Sequence, residues 1–155
     1  MPKAKKLMNY PLVALRGKVI FPDTVNSFDA GRLISLTAVS RASEQNLDLF
    51  VAMQKDAQKE EVAPDDVCRV GTVVKIKQIA KLPSNNLRIT VTGVYRAKAE
   101  EIYEEDGCLF ANVSELKAVH GDPLLEEAYF RTAHDVIREI RSNEMRISRE
   151  SASAL

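Results

Sequence analysis

The sequence predicts an α+β domain, mainly β, in which long strands bend around a small barrel, one helix packs on it and a second helix follows at the C-terminal end. Three observations carry that prediction. From Val70 onward apolar and polar residues alternate at the period of a strand, yet the alternation slips in places, as it does where a long strand bulges or coils. The stretch Arg32 to Asn46 holds no Gly or Pro and places Leu33 or Ile34, Ala38, Val39 and Ala42 at helical spacing. Asp122-Pro123 then offers a side-chain cap followed by a proline suited to the first helical position.

Tyr10 to Leu15 is a short apolar run closed by Arg16-Gly17, and Lys18 to Phe21 resumes it before Pro22-Asp23. Both pieces are too short for helices, and their β-branched and aromatic content predicts strands. Val25 to Ala30 predicts another, and after the first helix Leu47 to Met53 reads as an apolar strand ending in Gln54-Lys55-Asp56. Residues 59–66 are charged, with Pro64 as a helix stop, and predict a loop. Val74 and Ile76 alternate with Lys75 and Lys77, but Ile79 falls on the lysine side, so a bulge is expected between them. Pro83-Ser84-Asn85-Asn86 predicts the turn of a hairpin whose second strand starts at Leu87 and is interrupted at Gly93, with a further slip near Ala99 to Ile102. Glu104 to Gly107 turns the chain into a last strand, Leu109 to Leu116. The final helix carries an apolar stripe of Leu125, Tyr129, Ala133, Val136 and Ile140.

Composition narrows the function classes. Twenty-two Lys plus Arg balance twenty-two Asp plus Glu, so nucleic acid is not favoured as a partner. Two cysteines without a close-spaced mate, Cys68 and Cys108, read as strand residues of a protein in a reducing compartment. No secretory leader and no apolar run of membrane-spanning length is present, which predicts a soluble, cytoplasmic protein without membrane contact.

Chemistry-bearing motifs are missing. Gly17-Lys18 is followed by Val and lacks the first glycine of a phosphate loop. Cys68, Cys108, His120 and His134 have no zinc-site spacing, so no metal is expected. A Cys–His pairing oriented by Asp122 or Asp135 would need distant residues to meet, and structural roles account better for each. Glu100-Glu101 and Glu104-Glu105-Asp106 read as solvated turn acids, and Lys75, Lys77 and Lys81 as a solvated sheet face with only Tyr95 and Tyr103 to stack bases. No catalytic residue is predicted.

Several phrases in fixed order nevertheless carry a family resemblance. Pro11-Leu-Val-Ala-Leu-Arg-Gly-Lys-Val-Ile-Phe-Pro22, then Gly31-Arg32 with Ser35 and Ala38-Val39, Ala52 to Asp56, Asp66, Val70-Gly-Thr-Val-Val-Lys-Ile, Lys81-Leu-Pro83 and Gly93 with Arg96-Ala97 together resemble the N-terminal domain of the Lon family of ATP-dependent proteases. That resemblance implies a PUA-like β pseudobarrel over residues 9–119, preceded by a basic tail (1–8) and followed by a helical segment (120–155) leading toward an ATPase region. It also implies recognition of unfolded or tagged protein substrates and support of a homohexamer. The ATP, Mg and Ser-Lys dyad of such enzymes would belong to a parent chain, with none of these in residues 1–155. A stand-alone PUA-like module binding RNA or peptide is the alternative.

Unfolded polypeptide exposes apolar side chains and unpaired backbone, so the receptor surface is expected at apolar residues beside turns: Phe21, Pro22, Phe28, Met53, Leu82 and Pro83. Met145 and Ile147 would continue the stripe of the last helix as a contact between subunits.

Overall fold

The computed structural model describes residues 6–143. Its elements are β1 (Met8–Leu15), β2 (Val25–Ala30), α1 (Leu33–Glu44), β3 (Leu49–Gln54), a short 3-10 turn (Pro64–Asp66), β4 (Val67–Lys81), β5 (Leu87–Glu105), β6 (Cys108–Glu115) and α2 (Pro123–Ser142). β1 runs parallel to β3 and antiparallel to β6. From β3 the sheet continues antiparallel through β4 and β5 and returns to β6, so β1, β3, β4, β5 and β6 close into a ring. The 19-residue strand β5 makes this closure possible by serving two partners along the edge opposite β4: Leu87–Thr92 pair with β2, and Ala97–Glu105 pair with β6. β2 is thereby left as an edge strand outside the ring.

Strands this long must bend, and the bends fall where the sequence pattern slips. Ile76 faces Val91 while Gln78 faces Thr90, which leaves Lys77 as the extra residue and turns Ile79 outward. Val73 faces Tyr95 while Val74 faces Gly93, so Val94 is bulged; Ala99 and Glu101 face adjacent residues of β6, so Glu100 is bulged too. Gly93 therefore does not interrupt β5 but sits beside one of its bends. Lys18–Phe21 is not a strand: the main chain there is held by Thr72, whose buried hydroxyl donates to the Ile20 carbonyl at 2.5 Å. Pro64 opens the 3-10 turn, where its missing N–H costs nothing.

Two cores result, and alternate residues of each strand feed them. Tyr10, Leu12 and Ala14 enter one with Phe50, Val73 and Leu109, a cluster drawn from the five ring strands, Val62 aside. Val13 and Leu15 enter the other, with Phe28, Val51, Val74 and α1. The buried face of α1 is Ser35, Ala38, Val39 and Ala42, small residues that let the helix lie close to the strands. Of the two residues expected to begin that face, Ile34 is half-buried and packs against the ring core, whereas Leu33 is 78% exposed. Close approach is also required at Gly71, where a Cβ would lie 2.3 Å from the Val51 carbonyl oxygen and 2.7 Å from the tip of the Phe50 ring.

The chain divides into two compact units at Lys117/Ala118. In the second, Asp122 caps α2 by accepting from the Leu124 amide at 3.0 Å, and Arg131 pairs with Glu127 one turn back. Its stripe residues Leu125, Tyr129 and Val136 are exposed. Met145 and Ile147 lie outside the described residues.

Two predictions follow from this packing. Gly71→Ala drives a methyl group into the Val51 carbonyl and the Phe50 ring, and lowers the unfolding free energy by about 1–3 kcal/mol in urea denaturation. Asp66 accepts from Lys59 at 2.7 Å and from the Ala63 amide at 2.8 Å, and these bonds, the lysine's first, hold its carboxyl below the usual carboxylate range. A depressed carboxyl stabilises the fold above its unfolded pKa and loses that contribution as pH falls through the folded one. Asp66→Asn therefore melts below the wild-type protein at neutral pH, and the difference closes below about pH 4.

Candidate functional site

Phe21 is the most conspicuous side chain on the ring unit. It is 54% exposed, yet the loop that bears it is fixed. The Asp23 amide donates to the Gly93 carbonyl at 3.0 Å, the Gly93 amide donates to the Thr24 carbonyl at 2.9 Å, and the Thr24 hydroxyl donates to the Phe21 carbonyl at 2.7 Å. Asp23 takes up a left-handed conformation (φ 60°) to make this turn. Gly93 is obligatory beneath it, since a Cβ there would lie 2.2 Å from the Phe21 carbonyl oxygen. The Arg96 guanidinium stands 5.8 Å from the centre of the Phe21 ring and leaves part of the aromatic surface open. Val19, Val25 and the bulged Val94, next in chain or in sheet, are exposed as well.

The other residues expected at a receptor surface divide. Pro22 belongs to the same fixed loop and is half-buried. Phe28 is a correction: it is 6% exposed, because it sits in mid-β2 opposite Ile89 and points into the core that carries α1. Met53, at the end of β3, is 37% exposed. Leu82 is half-buried and Pro83 exposed at the β4–β5 turn. Between Val74, which faces Gly93, and Lys81, which faces Leu87, the hairpin runs about 20 Å, so Leu82-Pro83 and Phe21 are separate surfaces.

A polar network ties together the phrases that sequence inspection singled out. Gln54, 2% exposed, accepts from Arg32 at 2.7 Å and donates to the carbonyls of Asp56 and Lys59 at 2.6 and 2.7 Å. The second Arg32 nitrogen donates to the Ala14 carbonyl at 2.9 Å, and Arg16 reaches the Lys59 carbonyl at 3.3 Å. Burial, and then the Arg16 charge, lower Arg32 from the ordinary guanidinium value. Of these residues Ala14, Arg16 and Arg32 border a cleft of about 830 Å³ between the end of β1, β2 and the hairpin tip, which Lys18 and Arg88 also line. The cleft was not anticipated; its one sequence signal was the recurrence of Arg and Lys at Arg16, Lys18 and Arg32 beside strand ends.

Reactive groups are placed in structural roles. Cys68 is half-buried in β4, while burial pushes the Cys108 thiol up and away from the thiolate form. The Tyr10 and Tyr95 hydroxyls share a 2.8 Å hydrogen bond, and His134 packs 4.6 Å from Phe130. Glu101 accepts from Asn112 and Glu100 from Ser114, which fastens the bulge between β5 and β6. Among the described residues no group of three or more His, Cys, Asp or Glu is disposed to hold a metal, and no helix is long and apolar enough to cross a membrane.

A ring closed by one strand split between two partners, with a helix against it, defines a small β-pseudobarrel domain. The same architecture appears in the N-terminal domain of the Mycobacterium avium complex Lon protease, which superposes with a TM-score of 0.65 at 18% identity over 88% of this chain and 72% of that one. A Lon N-terminal domain protein from Xanthomonas campestris gives 0.56 at 16% identity over 74% and 63%. In sequence, the Lon protease of Clostridium acetobutylicum is 44% identical over 68 residues, and that of Clostridioides difficile 43% over 68. Each of these stretches covers 44% of this chain and 9% of the relative. Residues 9–154 match the family of the ATP-dependent protease La (LON) substrate-binding domain, and the chain belongs to that family.

The buried network is testable by stability. Gln54→Met fills the space but leaves the Asp56 carbonyl and one Arg32 nitrogen without their partner and the Lys59 carbonyl with the Arg16 bond alone, and is expected to cost on the order of 3 kcal/mol in urea denaturation.

Proposed function

We propose that this chain is the substrate-recognition domain of a larger ATP-dependent serine protease of the Lon type, and that it captures unfolded polypeptide at the fixed, exposed Phe21 loop. Membership of the substrate-binding domain family supports the class, and the clamped aromatic supports the place. Unfolded chains differ from folded ones in presenting apolar side chains, and an aromatic already held in position loses little conformational freedom on meeting them. Covering one such ring contributes about 2 kcal/mol, a weak contact. Repetition of the domain in a homohexamer would turn that weakness into avidity for long disordered chains while releasing short or folded ones. ATP and Mg, and the peptide-cleaving Ser-Lys dyad, would be supplied by parts of the parent enzyme beyond these residues. A cytoplasmic enzyme clearing misfolded and regulatory proteins fits this division.

The test is fluorescence anisotropy of a labelled, permanently unfolded model protein titrated with the domain. Phe21→Ala is expected to weaken binding about tenfold while leaving the melting temperature nearly unchanged, since the ring is largely exposed. Equal binding by wild type, Phe21→Ala and Met53→Ala would refute capture at this surface. Salt-sensitive binding of RNA without binding of unfolded protein would instead establish a nucleic-acid module.

A further inference from the structure

The cleft beside β2 lies between two strand edges that the sheet leaves unpaired. β6 accompanies β1 only as far as Leu12, and β3 accompanies it from Leu12 to Leu15, so one side of Val13–Leu15 has no neighbouring strand. β2 pairs with β5 alone, and its outer side has none either. Both segments wall the same cleft. Side-chain cations cover their carbonyls: Arg32 donates to Ala14, and Lys18 donates to Ser27. Lysine and arginine on an exposed edge are a common protection against unwanted strand pairing.

Their charges are not balanced within the cleft. Arg16, Lys18, Arg32 and Arg88 border it, and among the described residues Asp29 is the one acid that does. Asp29 is already engaged by Arg88 through two bonds of 2.8 and 2.9 Å. The hydrogen bonds of Arg16, Lys18 and Arg32 go to neutral oxygens, so three cations stand together in a chain whose net charge is zero. A walled cleft strengthens their attraction for an anion relative to open solvent.

We propose that this cleft binds an acidic, extended polypeptide segment, which adds as a strand along the outer edge of β2 and pairs its Asp or Glu side chains with Arg16, Lys18 and Arg32. The incoming backbone amide replaces the Lys18 ammonium at the Ser27 carbonyl, and the released ammonium meets a carboxylate of the segment. A strand edge recognises peptide backbone, which nucleic acid lacks. The aromatic that borders the cleft, Phe28, has its ring buried and offers no platform for stacking bases. This inference rests on the domain binding unfolded polypeptide but adds a chemical class and a second surface, distinct from the Phe21 loop.

The experiment uses the whole 155-residue chain and labelled peptides long enough to span β2, identical except that one carries Glu where the other carries Gln. At low salt the Glu peptide should bind about tenfold more tightly, a preference that raised salt removes. The double variant Arg16→Glu with Lys18→Glu should abolish the preference, and Asp29→Asn should sharpen it about threefold. Amide hydrogen exchange should slow in β2 on binding. Equal affinity for the two peptides, or a preference that survives the double variant, would overturn the proposal. So would a peptide displaced more readily by single-stranded RNA than by unlabelled Glu peptide. If an uncharged unfolded probe still binds and still responds to Phe21→Ala while the Glu peptide is ignored, the cleft proposal fails and capture at Phe21 stands.

Discussion

The guanidinium of Arg32 sets much of the rest in place. It is a partly buried cation whose bonds run to two neutral oxygens, the amide of Gln54 and the carbonyl of Ala14. Leaving any of these groups unmade would cost about 1–3 kcal/mol each, so the three must come together or none can be buried. Meeting that requirement fixes where α1 starts, where β3 ends and how β1 passes between them. It also explains the open edge. With the Ala14 carbonyl satisfied by a side chain, β1 can part from β6 after Leu12 without an orphaned acceptor at that point, and the gap becomes a cleft.

Features with a local cause are legible in the sequence. The bulge between Ile76 and Ile79 could be inferred because a strand that reverses its apolar face must contain an extra residue, and Lys77 is that residue. The cap at Asp122 and the turn at Pro83–Asn86 depend on neighbours a few residues away. Features decided by a distant partner are not. Lys18–Phe21 looks like a strand, but Thr72 takes its carbonyl at Ile20 and Gly93 holds the turn that follows. Leu33 and Ile34 are equivalent candidates for the start of the helix's apolar face, but Ile34 packs on the ring core and Leu33 turns to solvent. Arg32 and Gln54 both belong to the family pattern, yet their bond spans 22 positions and nothing in the spacing announces it.

Phe21 and Phe28 show the same division at the candidate surface. They are the same residue type and close in sequence, and composition cannot separate them. Pairing does: Phe28 lies opposite Ile89, whose side chain is fully buried, whereas Phe21 precedes β2 on a loop that Gly93 grips through backbone bonds alone. The strand buries one ring in building the core, and the loop exposes the other without making it loose. An exposed aromatic on a fixed backbone is what a receptor for disordered chains requires, because the ligand alone then bears the ordering cost.

The two proposed contacts lie on one short path. β2 begins directly after the Phe21 loop, and its residues Ser27 to Ala30 line the cationic cleft. A segment laid along β2 from the cleft would therefore run toward the Phe21 loop. Neither contact is strong alone, and neither reads a particular sequence. Joined through one extended strand, the second contact forms at high effective concentration once the first is made. Only a chain that is at once extended, apolar at one point and acidic at another gains from both. A folded protein shows its acids but not its core, and its strands are already paired. Selection would then rest on the state of the polypeptide rather than on its sequence, and the unpaired edge of β2 would be the element that senses that state.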